Sequence, residues 1–546
     1  MPPIVYPIEL SLPDLSVFAI WSLAVAGAST ILLVGLFLRN PWRICRPAFS
    51  FAGLVNLLYQ WPIAVLAAQL ESSLATPFYF SLTPNLLALI GILWPASTNH
   101  NLTIPVGTTT STDLTVLQLI IPVIAAAVLG ALYFSRMPAH CTALFALLFD
   151  PAATLLAREV TIKLSGSTLA ALSFGALANS VAPVIAAIGL SQMIHGFRAR
   201  SMSRVAQWAL AVLASLLMVM TAGAKGLTIP LFVVVLVSAI FWSHGLLAKL
   251  VTGAMSVLLL FVALAGFELA RERGGGRIPY DFAACSVELG SDEKGMELLN
   301  SIKESGGLGL AASQVAEIQA DLAAKMGSAD RTAKEPIFNE SFDKKGGAAE
   351  LESSAGEPAA QRTFGERKGA SVDRAFTYLQ AIVYRGIIAP TQVAAWHHLY
   401  VDEVGPPGIG AFPLAGRVLG TSVNPAMLVY QRYGTVYSSG DKTSTSTAPT
   451  SFIFSWPAYF SWWGILMAVG AILALDITAS AIATRLPRET LPLAAGLVSA
   501  ISLNMITSDF VTTIFSHGAL VALCLLAAFA FVERISRSKK QWGLFA

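Results

Sequence analysis

Stretches of about twenty mostly apolar residues recur along this chain of 546 residues. A helix needs a run of that length to cross the hydrocarbon core of a bilayer. Within that core every backbone N–H and C=O must be satisfied internally, which leaves helices and closed barrels as the spanning structures. Eleven runs are long enough, at roughly 16–38, 48–70, 115–135, 140–157, 168–193, 205–223, 227–247, 250–270, 453–475, 491–508 and 513–532. The run 140–157 carries Asp150 and Pro151, which a spanning helix tolerates poorly. A further apolar run, 77–94, is flanked by 71–76 and 95–113, which hold no Lys or Arg, and reads as an interfacial or re-entrant segment. The expected fold is therefore an all-α, multi-pass integral membrane protein with about eleven transmembrane helices.

Composition agrees. The chain is 55% hydrophobic and only 12% charged, with a mean hydropathy of +0.66. A net charge of +3 gives no electrostatic footprint for nucleic acid. The four cysteines, Cys45, Cys141, Cys285 and Cys524, form no CxxC and lie mostly in or beside apolar runs, so neither a disulfide framework nor a zinc site is expected. No basic region precedes the first apolar run, which is long enough to span, so no cleavable signal peptide is expected.

The charges are unevenly placed. Residues 271–451 hold 18 Lys and Arg and 21 Asp and Glu, while the other 365 residues hold 17 and 11. This divides the chain into a membrane part of eight helices (1–270), a flexible insert (271–374), a second loop segment (375–452), and a membrane part of three helices with a tail (453–546). With the N-terminus outside, Arg39, Arg43, Arg46, Arg136, Arg198, Arg200, Arg204, Lys249, Arg485, Arg488, Arg534, Arg537, Lys539 and Lys540 fall inside. Only Arg158, Lys163 and Lys225 fall in short outer loops. Fourteen against three is the asymmetry of the positive-inside rule, and it exports 271–451 and keeps the C-terminus cytoplasmic.

Lys225 is the sole Lys, Arg, Asp or Glu between Arg204 and Lys249. The span pattern puts it at an outer turn among Thr221, Gly223, Ala224 and Gly226. There it either snorkels to lipid headgroups or faces a ligand. The insert 271–374 is rich in Gly, Ala, Ser and charge. It reads as one or two solvated helices and a linker, with no chemistry expected of it. From 375 the character changes. Arg385 is followed by Trp396, His397, His398, Tyr400, Asp402 and Glu403, then by Arg417, Asn424 and Arg432. Rings that stack on sugar faces beside groups that bond hydroxyls suit a glycan site; an interfacial aromatic belt is the alternative.

Four stretches resemble bacterial oligosaccharide repeat-unit polymerases of the O-antigen polymerase (Wzy) type and the related O-antigen ligase-like glycosyltransferases. They are "TAGAKGLTIPLFVVVL" from Thr221, "YRGIIAPTQVAAWHHLY" from Tyr384, "TAPTSFIFSWPAYFSWWGILMAVGAILALD" from Thr447 and "NMITSDFVTTIFSHGAL" from Asn504. The resemblance covers about 204–533 and rests on the order of the motifs and the many-span, one-large-loop layout. It implies a GT-C-like helical fold in a bacterial inner membrane. It also implies transfer of glycan from an undecaprenyl pyrophosphate carrier at the outer face, with no metal or cofactor. The implied partners are that lipid-linked oligosaccharide, membrane lipid, and flippase and chain-length regulator proteins.

Such a reaction needs cations facing the leaving pyrophosphate and a base for the acceptor hydroxyl. Lys225 and Arg385 are the first candidates for the pyrophosphate, with Arg158, Arg417 and Arg432 behind them. His397 or His398 is the candidate base and Asp402 the alternative. Asp509 and His517 are expected to cap helices, and Asp476 to pair locally. A ligase acting on a different acceptor, a transporter and an assembly protein are the competing expectations.

Overall fold

The computed structural model describes residues 17–87, 116–161, 168–221, 228–243, 249–250, 253–254, 256, 280–290, 292–305, 312–333, 389–412, 423–433 and 449–543. The described elements are all helical. In chain order they are α1 (Val17–Arg39), α2 (Pro47–Val55), α3 (Trp61–Ser81), α4 (Val116–Phe134), α5 (Ala143–Phe149), α6 (Thr154–Glu159), α7 (Thr168–Ala176), α8 (Ala182–Arg198), α9 (Met202–Met220) and α10 (Thr228–Trp242). There follow α11 (Phe282–Glu288), α12 (Asp292–Ser305), α13 (Ala312–Ala333), α14 (Ala389–Val404), α15 (Pro425–Tyr433), α16 (Phe452–Phe460), α17 (Trp462–Ala483), α18 (Leu491–Thr507), α19 (Phe510–Phe515) and α20 (Ala519–Gly543).

Among the described residues, five stretches are long and apolar enough to cross a membrane: Val17–Arg39, Pro47–Leu66, Leu169–Met193, Met202–Met220 and Trp462–Ala483. Shorter apolar helices stand at Ile120–Phe134, Thr228–Trp242, Leu491–Thr507 and Ala519–Val532. Large apolar side chains such as Ile31, Leu38, Leu210, Leu466, Ile477 and Phe531 point outward, as they do where the surrounding medium is lipid. The protein is a helical, membrane-embedded chain. Its central element is α7–α8, with 83% of the most apolar stretch buried, against 17% for α9.

The bundle has two distinct ends. At one, Cys45 reaches the Leu491 carbonyl, Trp242 Nε1 donates to the Glu489 carbonyl, and Gly196 near the end of α8 meets Val205 near the start of α9. Arg39, Arg43, Arg46, Arg204 and Arg485 lie in these turns, and we call it the arginine end. At the far end the Tyr59 hydroxyl donates to the Ile506 carbonyl, Ser180 Oγ donates to the Gly518 carbonyl, and Phe18 packs on Phe78. Gly175 allows the last of these turns to close, because a Cβ there would lie 1.7 Å from the Ser516 carbonyl oxygen.

The helical stretches 47–81 and 168–198 each contain a π turn, at Asn56–Gln60 and at Leu177–Val181. Pro62 and Pro183 follow them. A proline removes one N–H and pushes its ring against the carbonyl four residues earlier, so the helix widens just before it. The Leu58 carbonyl, four residues before Pro62, accepts instead from Thr391 Oγ1 on α14, at 3.5 Å. Beside this turn lies a polar network. Asn56 Nδ2 donates to Gln60 Oε1 at 2.7 Å, Thr30 Oγ1 to Asn56 Oδ1 at 2.9 Å, Gln60 Nε2 to the Ser81 carbonyl at 2.9 Å, and Asn85 Nδ2 to Ser29 Oγ at 2.9 Å.

That network decides between the two readings of 77–94. Along a straight helix Gln60 and Ser81 would stand about 30 Å apart, yet they are hydrogen-bonded, so the helical path doubles back between them. Phe78 then meets Phe18 and Asn85 meets Ser29. The described part of this run thus descends beside α1, in the same direction, as the re-entrant reading expects and the interfacial one does not.

The run 140–157, by contrast, is corrected. It is broken into α5, a short 3-10 turn at Pro151–Ala153 and α6, and it stays at the far end, where Leu144 N–H donates to the Thr221 carbonyl. Asp150 marks the break, and its Oδ2 accepts the Tyr280 N–H at 3.0 Å. The helix before it reverses direction accordingly. Tyr133, near the end of α4, packs on Phe174, in the first third of the continuous α7–α8 stretch, with ring centroids 5.0 Å apart. Arg136 therefore lies at the far end, and the tally read from the sequence becomes thirteen basic residues against four. The run 453–475 also divides, into α16 and the spanning helix α17. They meet at Gly464, where a Cβ would lie 2.0 Å from the Trp456 carbonyl oxygen.

Two further expectations change. Cys141 and Cys285, 144 residues apart, form a disulfide. It ties α11, within the segment expected to be loose, to the far-end segment after α4. Around it Tyr133, Met137, Val160, Phe282, Leu299 and Leu322 form a second apolar core. Asp476 does not pair locally. It holds Arg46, 430 residues earlier: Arg46 Nε donates to Asp476 Oδ2 at 3.1 Å and Ala48 N–H donates to Oδ1 at 3.0 Å. The expected span 250–270 lies mostly outside the described residues.

Removing one partner of a buried ion pair strands the other charge, at a cost of about 3–5 kcal/mol. Asp476→Ala is therefore expected to lower the unfolding midpoint in detergent strongly, whereas the paired change Arg46→Met with Asp476→Leu recovers most of the loss. Closing so long a loop is worth about 2–5 kcal/mol. Cys141→Ser, Cys285→Ser and the double variant are expected to lose equal stability; additive losses would mean that the two thiols act separately.

Candidate functional site

The second loop segment returns to the membrane part through α14 and α16, and both begin within the far half of the bundle. Thr391, in the first turn of α14, is buried against Leu58. Ser451, just before α16, donates through Oγ to the Met505 carbonyl at 2.8 Å. From these buried starts both helices run outward, and α16 ends at Ser461, whose φ of 55° is strained for a residue with a Cβ. That bend starts α17 back down the bundle.

Where the two helices lie side by side, His397 Nδ1 and the Tyr459 hydroxyl share a hydrogen bond, with His397 1% exposed. Successive helical residues point about 100° apart, so His398 faces elsewhere. Its ring stacks on Phe80 with centroids 5.4 Å apart. Its Nε2 is shielded from solvent and has no hydrogen-bond partner among the described residues. Burial pulls its pKa down to about 4, so the imidazole is neutral across the physiological range.

The wall beside this pair is aromatic. Phe412 stacks on Phe460 at 4.9 Å, and Trp456 packs on Phe412, Phe452 and Phe510. Trp456 Nε1 donates to Asp509 Oδ2 at 2.7 Å. Asp509 also caps α19, accepting the Val511 N–H at 2.8 Å, as expected from its place before that helix. Burial raises the Asp509 pKa against the opposing pull of the Trp456 and backbone N–H groups. Burial lowers that of His517, in the turn before α20.

The other expected residues are dispersed. Asp402 is exposed on the outer part of α14. Arg432, on α15, is committed to Glu403: its Nε donates to Glu403 Oε2 at 2.6 Å, and both side chains are exposed. The neighbouring Tyr433 hydroxyl and the Arg432 guanidinium hold the Glu403 carboxyl below its ordinary range. Arg158, on α6, stands in the disulfide-linked part, where its Nε is buried without a partner among the described residues. Lys225, Arg385 and Arg417 lie outside the described residues.

Tyr459, Trp456 and Phe80 were missed as site residues by sequence reading. Tyr459 and Trp456 sit in the aromatic stretch "SFIFSWPAYFSWW", which a single span through 453–475 spreads along a helix facing lipid. Comparison with known protein families, with curated proteins and with solved structures found no match for this chain.

A neutral, buried histidine binds protons less readily than the unfolded chain does between pH 4 and 6.5. Stability gained from His398 is therefore present above that window and lost as pH falls through it, by at most about 3 kcal/mol. His398→Phe keeps the stacking on Phe80 and removes the titration. Unfolding midpoints between pH 4 and 7 are expected to flatten in this variant; an unchanged slope would place the acid sensitivity elsewhere.

Proposed function

We propose that the chain polymerises lipid-linked oligosaccharide repeat units at the outer face of a bacterial inner membrane, transferring glycan from an undecaprenyl pyrophosphate carrier to another carrier-linked unit. The fold proposed with it is GT-C-like, with eleven spans. The observation that carries the proposal is the far-end meeting of α14 and α16, where two histidines stand against an aromatic wall opposite the arginine end.

Thirteen basic residues against four support a cytoplasmic arginine end. The Cys141–Cys285 disulfide at the other end supports an oxidising compartment there. Aromatic faces suit sugar rings, and the exported placement suits a carrier already moved across the bilayer.

Within the proposed reaction His398 takes the proton of the acceptor hydroxyl. It is neutral at working pH and has a ring nitrogen without a partner among the described residues. A pKa near 4 makes it a weak base, so most of the rate must come from stabilising the leaving pyrophosphate. That falls to Lys225 and Arg385, a point charge and a forked donor. His397 and Tyr459 hold α14 against α16 and so position His398. A ligase-like transfer to a different acceptor uses the same chemistry and differs in what accumulates when the enzyme is lost.

The test is the lipid-linked glycan profile of cells carrying Lys225→Ala, Arg385→Ala or His398→Ala, with protein levels checked. Loss of long glycan and accumulation of one-repeat carrier lipid is expected, by about 100-fold or more for removal of one oriented cation. Accumulation of full-length carrier-linked polymer would indicate the ligase. An unchanged profile in all three variants would overturn the site.

A further inference from the structure

Two polar side chains stand beside the disulfide at the far end. His140 directly precedes Cys141 in the 3-10 turn Ala139–Cys141. Glu288 lies three residues after Cys285 on α11, a spacing that puts both on one helix face. The turn and the helix bring the two polar groups together: His140 Nε2 lies 3.0 Å from Glu288 Oε2. A ring nitrogen of His140 and the two sulfurs all lie within 4.8 Å of one another. Both cysteines are buried, Cys141 at 0% and Cys285 at 1% exposure, in the apolar core that holds Met137, Phe282 and Leu299. The imidazole and the carboxylate are half-exposed.

Two thiolates and an imidazole that converge in this way are a ligand set for zinc. A tetrahedral Zn2+ with sulfur at about 2.3 Å and nitrogen at about 2.0–2.1 Å holds its ligand atoms about 3.6–3.8 Å apart. The nitrogen is already within reach of both sulfurs. The Cα atoms of the cysteines are 5.6 Å apart, so once the S–S bond is broken the sulfurs reach that spacing by rotating their own side chains. Glu288 supplies the carboxylate that metal-bound histidines use. It takes the Nε2 hydrogen and leaves the Nδ1 lone pair for the metal. Three protein ligands leave the fourth position to water, which the half-exposed His140 side admits.

We propose that Cys141, Cys285 and His140 bind one Zn2+ when the disulfide is reduced, with Glu288 orienting the imidazole, so that disulfide and zinc are two exclusive states of one site. A dithiol reductant gives two electrons and two protons to the S–S bond and leaves as its own disulfide. Zn2+ then displaces the two thiol protons to solvent and forms two Zn–S bonds and one Zn–N bond. In either state α11 stays tied to the turn after α4. The site does not rest on the glycan reaction.

The test uses the purified full-length protein in detergent, reduced with a phosphine and titrated with Co2+, whose thiolate complexes absorb in the near ultraviolet. The oxidised protein keeps Cys45 and Cys524 as free thiols and is the control. The reduced wild type is expected to bind one Co2+ with thiolate absorption and to release it to one equivalent of Zn2+, while the oxidised protein shows no such absorption. Cys285→Ser and His140→Ala are expected to lose the complex. Glu288→Ala is expected to weaken it by about 10–100-fold, and Glu288→Gln, whose amide oxygen still accepts the imidazole N–H, to recover part of that loss. The unfolding midpoint of the reduced protein is expected to rise with added Zn2+, a reading that holds even if reduction loosens the fold. No thiolate absorption in the reduced wild type, no rise in its midpoint, the same absorption in the oxidised protein, or wild-type affinity in His140→Ala would each overturn the site.

Discussion

Inside a bilayer a polar group has no water to fall back on, and the placement of nearly every informative residue in this bundle follows from that constraint. The carboxylate of Asp476 cannot stand alone at membrane depth, so the N-terminal part of the chain brings Arg46 and the Ala48 N–H to it. The pair fixes α2 against α17 across 430 residues of sequence. The same constraint gathers Ser29, Asn56, Gln60 and Asn85 into one network. It also turns the carbonyl freed before Pro62 into an acceptor for α14. A helix of the second loop segment is thus docked at the point where a membrane helix cannot complete its own ladder.

This logic separates what the sequence made legible from what it hid. Run length and charge asymmetry depend on each segment alone, so the helical membrane class and the arginine end could be read directly. Pairing depends on segments far apart. Asp476 and Arg46 gave no local signal of belonging together, and neither did Cys141 and Cys285. The runs 77–94 and 140–157 were hard to place for a common reason. Hydropathy alone cannot tell 77–94, which lies at depth because Asn85 finds Ser29 there, from 140–157, which is equally apolar but breaks at Asp150 and Pro151. Keeping 140–157 at the far end and reversing α4 to match leaves the direction of the later described helices unchanged. Only Arg136 and its neighbours change ends, which is why the charge asymmetry survived the error.

The histidine pair could be picked out as candidate residues, but its geometry could not be read. Adjacent histidines on one helix look equivalent in sequence, yet the helical turn sends them to different surroundings. His397 meets the Tyr459 hydroxyl, while His398 meets the flat face of Phe80. Tyr459 escaped notice because α16 was merged with α17. Ser461, in a strained left-handed conformation, and Gly464, which tolerates the Trp456 carbonyl, separate the two helices. A change of direction that needs one strained residue and one glycine leaves almost no trace in a hydropathy pattern.

The two ends of the bundle supply independent arguments for the proposed orientation. Arginine and lysine bias acts during insertion and reads the cytoplasmic face. A disulfide reads the chemistry of the compartment in which the far end stays afterwards. These mechanisms share no step, so their agreement carries more weight than either alone. Their agreement also joins the insert to the site's side of the membrane. The helices from Phe282 onward, which contribute no expected chemistry, are bonded through Cys285 to the segment that carries Arg158. Loss of that bond would free a charged layer from the far end, and would leave the arginine end and its Asp476 anchor untouched.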